Sequence, residues 1–171
     1  MANILTVYYS RKGENYFPEG IKSIEKGNTE IAAEFIHKTV GGDIFEIDTV
    51  KPYSKDYYIC CDEAKAELKE NARPEIKAFM EDISAYDTIF VCYPNWWGTV
   101  PMCILTFLDN YDLTDKKILP LCTNEGSNMG KSETDLVKSY RKAVVKPGLA
   151  VRGHKVKDSE AEIARWAKNN I

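Results

Sequence analysis

The chain has 171 residues, 44% of them hydrophobic and 29% charged, with 10 glycines and 7 prolines. That composition describes one packed domain over residues 1–171 and excludes disordered, collagen-like and low-complexity chains. Its 23 basic and 26 acidic side chains leave a net charge of −3, so the basic field that holds nucleic acid or an anionic membrane is missing and neither is an expected partner. No apolar run approaches the roughly 18 residues of a spanning helix, and the start MANILTVYYSRKGE turns polar at Ser10, too soon for a secretory leader. A cytoplasmic location is expected.

In chain order, Ile4 to Tyr9 is a first short apolar strand. Asn28 is then placed to cap a helix through Lys38, with Ile31, Phe35 and Ile36 on one face and Gly41-Gly42 as its stop. Ile44 to Ile47 forms the second strand. A helical pattern from Asp56 to Asn71 breaks before Pro74 and resumes through Met80, which predicts a long, mostly helical crossover to the third strand, Thr88 to Tyr93. Val100 to Asn110 is the third helix and Ile118 to Cys122 the fourth strand. Ser132 and Asp135 read as a capping box for a fourth helix that buries Leu136, Val137 and Tyr140. Leu149 to Val151 is the fifth strand, and Ser159 opens a last helix carrying Ile163 and Trp166.

Strict alternation of strand and helix predicts an α/β domain with a parallel sheet between helical layers. The runs at Ile4, Thr88 and Ile118 are nearly continuous, as strands covered on both faces require. The five cysteines lack zinc-site spacing and are too few for a secreted disulfide scaffold, so reduced thiols are expected, with Cys92 and Cys122 in the core. Only His37 and His154 are present. They offer little support for a cysteine–histidine nucleophile or a histidine-bound metal.

In such a sheet, ligands bind beyond the carboxyl ends of the strands. The loop after the first strand, Ser10 to Asn28, holds Gly13, Gly20 and Gly27 and opens a helix whose free N–H groups suit a phosphate. The loop after the third strand holds Trp96 and Trp97 between prolines. Adjacent tryptophans are hard to bury together, so one of them is expected to face a flat aromatic ligand. The loop after the fourth strand, Thr123 to Ser132, resembles a triphosphate loop but leaves three residues rather than four between Gly126 and Gly130, which argues against a triphosphate. No dinucleotide GxGxxG and no cysteine-phosphatase spacing occur.

Together, Tyr9-Ser10, Gly27-Asn28-Thr29, Pro94-Asn95-Trp96-Trp97-Gly98 and Thr123-Asn124-Glu125-Gly126-Ser127 resemble the three flavin-binding loops of flavodoxins, in the bacterial branch with a Trp-Trp-Gly second loop. The resemblance spans nearly the whole chain. It implies a flavodoxin-like doubly wound sheet of five parallel strands in the order 2-1-3-4-5 with helices on both faces. It also implies FMN as cofactor, with its phosphate in the first loop and its isoalloxazine between the second and third. The implied contacts are Ser10, Lys12, Gly27, Asn28 and Thr29; Pro94, Asn95, Trp96, Trp97 and Gly98; and Thr123, Asn124, Glu125, Gly126 and Ser127. No side chain is assigned a catalytic role and no metal is implied.

The first loop departs from the compact family pattern, because residues 11–26 separate Ser10 from Gly27-Asn28-Thr29. Either Gly13 or Gly27 fits as the phosphate glycine; Gly27 is preferred because a helix follows it directly. Lys12 is expected near the phosphate, and the inserted segment, with Tyr16 and Phe17, is expected to form a flap beside the site. The implied function is electron carriage between redox protein partners or to a small-molecule acceptor. An FMN-dependent NAD(P)H or quinone reductase is the alternative, and a non-redox phosphate or nucleotide module the third reading. A one-electron carrier needs a backbone carbonyl that can turn toward the reduced ring. Gly98 permits the turn, while the flanking indoles would hold the backbone still. Donor, acceptor and oligomeric state are not encoded in these motifs.

Overall fold

The computed structural model describes residues 2–171. Strand β1 (Ile4–Tyr8) is buried along its whole length and leads into an antiparallel hairpin, β2 (Gly13–Phe17) and β3 (Gly20–Ile24). Then follow α1 (Asn28–Val40), β4 (Asp43–Glu46), α2 (Tyr57–Lys69), β5 (Thr88–Pro94), α3 (Met102–Leu108) and β6 (Lys117–Asn124). The chain closes with α4 (Ser132–Ser139), β7 (Val144–Val145), β8 (Leu149–Arg152), a 3-10 turn at Gly153–Asp158 and α5 (Glu160–Asn170).

The main sheet runs β4-β1-β5-β6-β7, with every pairing parallel and β8 also on β6. This is the expected 2-1-3-4-5 order, with the fifth place shared by two short strands. Pro120 explains the split. Lys146 N–H donates to the Ile118 carbonyl at 2.9 Å, and two residues on Pro120 faces the same neighbour with no N–H to give. The neighbouring strand breaks there, at Lys146-Pro147-Gly148, and Gly148 passes so close that a Cβ would sit 2.6 Å from the Pro120 carbonyl oxygen.

Successive side chains of a strand point to opposite faces, so two cores form. Leu5, Val7, Ile89, Val91 and Tyr93 pack with α3, Leu136 of α4 and the segment carrying Ile47, Ile76 and Ile83. Ile4, Tyr8, Phe90, Cys92, Leu119 and Leu121 pack against Ala32, Ala33 and Ile36 of α1 and Ile163 and Ala167 of α5. Each fully buried Leu or Ile contributes about 1.5–3 kcal/mol, so both helical layers are held chiefly by this burial. Burial also pushes the Cys122 thiol up to about 12 and the Cys92 thiol higher still, keeping both protonated, and all five cysteines are free.

Three expectations are corrected. Asn28 lies inside α1 and does not cap it; Gly27 holds the cap position, and Ser10 Oγ accepts the Glu30 N–H at 3.0 Å. The crossover is not helical through Met80, because α2 ends at Lys69 and Asn71 turns to φ +49. Beyond it the backbone pairs with a distant segment, Val50 N–H to Glu75 O and Lys77 N–H to Asp48 O, both 2.9 Å; these bonds and burial of Ile76 and Ile83 outweigh the local helical pattern. The capping box of α4 does not form. Ser132 Oγ donates to Met129 O and Asp135 accepts from Thr99 Oγ1, while Val137 points to solvent.

Candidate functional site

The three loops meet at the carboxyl ends of β1, β5 and β6 around a cavity of about 420 Å³. Asn28, Pro94, Asn95, Trp96, Trp97, Thr123, Asn124, Glu125, Gly126 and Ser127 line it, together with Arg11, Asn15, Tyr16, Tyr57, Cys60, Cys61, Ala64 and Gly153. Ser10, Lys12, Gly27, Thr29 and Gly98 stand outside the lining.

The split first loop is rejoined in space. A Cβ on Gly27 would overlap Ser10 Oγ and lie 2.7 Å from the Arg11 carbonyl oxygen, so only glycine lets the two halves meet. Residues between them form the β2–β3 hairpin, which Gly13 opens at φ +82. Thr29 is buried, with Oγ1 2.8 Å from Thr123 Oγ1, and thus ties α1 to β6. The N–H groups of the first turn of α1 have no intrahelical acceptors and carry the positive end of the helix dipole. Lys12 is exposed and does not line the cavity; on edge strand β4, burial pushes the Glu46 carboxyl up and the Lys12 charge opposes it.

The second loop is a tight turn in which Trp97 (φ +55) and Gly98 (φ +82) are both left-handed. Trp96 and Thr99 exchange backbone hydrogen bonds across it, the I′ pattern. A tryptophan at positive φ is strained by about 1–2 kcal/mol. Two contacts compensate: Nε1 donates to Cys61 O at 2.8 Å, and Lys65 Nζ lies 5.0 Å from the ring centroid. Trp96 turns inward against Tyr9 and Tyr53, with edge-on centroid distances of 5.1 and 4.9 Å. Trp97 remains 48% exposed, so Trp96 packs against the core from the cavity wall while Trp97 lies open to solvent at the same cavity. Gly98 is held on both sides: its N–H donates to Asn95 Oδ1 at 2.8 Å and its carbonyl accepts Lys131 N–H at 2.7 Å.

The third loop is shaped by Asn124, whose Oδ1 accepts the N–H groups of Gly126 (2.9 Å) and Asn128 (3.0 Å). Asn95 Nδ2 donates to Asn128 O at 2.9 Å, which joins the second and third loops. Glu125 is engaged by His154, through the backbone N–H at 2.7 Å and ring Nδ1 at 2.6 Å. Gly153 lies between Asn28 and Glu125, where a Cβ would meet both side chains.

Sequence reasoning missed the wall opposite the loops. Tyr57, Cys60, Cys61 and Ala64 follow helical spacing and share one face of α2, a signal available in the sequence. The hairpin supplies Arg11, Asn15 and Tyr16. Arg11 is clamped by carbonyl oxygens of Glu14 (2.8 Å), Ser54 (2.9 Å) and Lys55 (3.1 Å), and Glu14 accepts the Tyr57 N–H at 2.8 Å, fastening the hairpin to the start of α2. Burial pushes the Cys60 thiol up to about 11, with Arg11 pulling it back, which keeps that thiol protonated.

Comparison with known proteins agrees with this architecture. A comparison with curated protein sequences finds no match. A Bacteroides eggerthii DSM 20697 protein assigned as a flavoprotein is 30% identical, with 96% of this chain and 99% of that chain covered and a TM-score of 0.74. A Bacteroides uniformis ATCC 8492 protein with the same assignment is 24% identical over 98% of both chains, with a TM-score of 0.80. A Lactobacillus acidophilus NCFM flavoprotein, solved in complex with FMN, shares the fold at 22% identity and a TM-score of 0.68, covering 92% of this chain and 98% of that one. The flavodoxin family model matches residues 22–170, from the hairpin to the last helix, and with that span covered the chain belongs to the flavodoxin family.

Proposed function

We propose that the protein binds FMN noncovalently in the 420 Å³ cavity and carries electrons between redox partners. The observation that carries this reading is the convergence of the three loops on one cofactor-sized cavity whose lining combines the aromatic residues Tyr57, Trp96 and Trp97 with the polar residues Asn28, Asn95, Thr123 and Ser127. The chain fits the group. The first turn of α1, beside Ser10 and Asn28, offers N–H groups to the phosphate; Trp96, Trp97 and the Thr123–Ser127 loop flank the isoalloxazine; Glu125 and Ser127 are acceptors for sugar hydroxyls. The flavin supplies the redox chemistry when bound, and the residues orient it and shield it from water.

A second reading, a two-electron reductase, is favoured by one observation. Turning the Trp97–Gly98 peptide toward the ring would break the Gly98–Asn95 hydrogen bond, and Lys131 fixes the next carbonyl. Titration of the purified protein is expected to give stoichiometric FMN uptake, with weaker binding of riboflavin, which lacks the phosphate, and of FAD, whose adenylate meets a loop closed around a terminal phosphate. Equal affinity for FMN and riboflavin would remove the phosphate assignment. Stepwise anaerobic reduction of the loaded protein then separates the roles: a substantial one-electron-reduced species supports the carrier, and direct passage to the fully reduced flavin with rapid NAD(P)H-driven quinone turnover supports the reductase.

A further inference from the structure

Among the described residues that line the cavity, Arg11 is the one cation and Glu125 the one anion. Their situations differ. Glu125 sits at the end formed by Asn28 and Gly153 and is bonded to His154. The Arg11 backbone lies beside Gly27, and its guanidinium is turned toward the hairpin and the segment before α2, bonded to the carbonyl oxygens of Glu14, Ser54 and Lys55. No carboxylate among the described residues forms an ion pair with it. An arginine keeps its charge at physiological pH, and three carbonyls fix this one in a partly buried wall, where a charge acts through less water than at the surface.

We propose that Arg11 is an electrostatic determinant of the redox potential of the bound flavin, favouring its anionic reduced ring over the neutral oxidised one. The proposal rests on the FMN reading above. Two electrons from a low-potential donor and one proton convert the neutral isoalloxazine to a monoanion, so a fixed cation beside the ring stabilises the product and not the reactant. The ring end, rather than the phosphate end, is indicated by the surroundings of Arg11. Ser54, whose carbonyl oxygen accepts from Arg11 Nη2 at 2.9 Å, follows Tyr53, whose ring meets Trp96 at 4.9 Å, and Arg11 lines the cavity together with Tyr57 and Cys60. Burial is the main influence on the Tyr9 and Cys60 pKa values and raises both, and Arg11 opposes it at each. The sequence alone places Lys12 near the phosphate and gives no role to Arg11; in the structure Lys12 is exposed and Arg11 lines the cavity.

The test compares the wild type with Arg11→Gln, Arg11→Met and Arg11→Lys, loaded with FMN, by potentiometric titration and by dissociation constants for oxidised FMN, reduced FMN and riboflavin. Arg11→Gln and Arg11→Met are expected to bind oxidised FMN within a few-fold of wild type but reduced FMN about tenfold more weakly. That corresponds to a two-electron midpoint about 30 mV lower. Arg11→Lys keeps the charge and is expected to retain most of the potential. An unchanged midpoint in the uncharged variants overturns the proposal. So does an equal loss of FMN in both redox states with riboflavin unaffected, which places the cation on the phosphate. An arm needing no variant uses sulfite, which bonds through sulfur to ring N5 and makes the flavin anionic. The wild-type protein is expected to bind sulfite more tightly than free FMN does, and binding no tighter overturns the proposal. Failure of the wild type to take up FMN instead removes the cofactor reading itself.

Discussion

Replacing Gly27 by alanine is expected to destabilise the protein by about 2–4 kcal/mol and to lower FMN affinity at least tenfold. A methyl group at this position has nowhere to go: it overlaps the Ser10 side-chain Oγ and lies 2.7 Å from the Arg11 backbone carbonyl oxygen, on the two residues that lead out of β1. Relieving the clash moves Ser10 off the Glu30 N–H, removing the substitute cap of α1, worth about 1 kcal/mol. Overpacking of a tight joint adds about 1–3 kcal/mol. Gly13→Ala is the control. Gly13 has φ +82, but a methyl there would meet no atom within 4 Å, so it carries a backbone cost of about 1–2 kcal/mol and leaves the α1 terminus intact. Urea unfolding and FMN titration of both variants check this. A larger loss of FMN affinity in Gly13→Ala would assign the phosphate to the hairpin entrance instead.

Trp96→Ala is expected to cost about 3–5 kcal/mol of stability, whereas Trp97→Ala should stay within about 1 kcal/mol of wild type while still weakening the flavin. Trp96 is the keystone of an aromatic cluster, edge-on to Tyr9 and Tyr53, and truncating it leaves a void under the cavity floor. Trp97 is 48% exposed and strained at φ +55; losing its bond to Cys61 O and its packing on Lys65 roughly offsets the small relief alanine offers over an indole. Thermal unfolding read beside FMN fluorescence separates the two residues. Equal destabilisation by both substitutions would mean that Trp97, too, is structural.

The fold was legible because burial on both faces leaves continuous apolar runs at Ile4, Thr88 and Ile118, and because a parallel order needs the helices that intervene. The three loops were legible because their glycines, tryptophans and asparagines are unusual at strand ends. What escaped the sequence is long-range. The stretch from Pro74 through Met80 read as a resumed helix, yet the backbone partners of Glu75 and Lys77 are Val50 and Asp48, far back in the chain. The cap of α1 comes from Ser10, across the whole hairpin, and the loop-facing wall comes from α2, whose Tyr57-Cys60-Cys61-Ala64 face carries no residue type peculiar to cofactors. The sequence favoured Lys12, whereas Arg11 lines the cavity, because a one-residue difference at the entry to a hairpin decides which side chain faces inward.

The proline in β6 divides the molecule by local stability. With no amide N–H at Pro120 and the fifth strand cut at Lys146-Pro147-Gly148, β7 and β8 need not open together. The first is tied to Lys117 and Ile118 near the amino end of β6, and the second to Leu121–Asn124, the stretch that runs into the third loop. Hydrogen–deuterium exchange is expected to show FMN slowing exchange across residues 149–154, which lead into Gly153 and the His154 clasp on Glu125, while amides 144–146 exchange at the same rate with and without it. Matching protection of both segments would show that the fifth strand behaves as one cooperative unit despite its break.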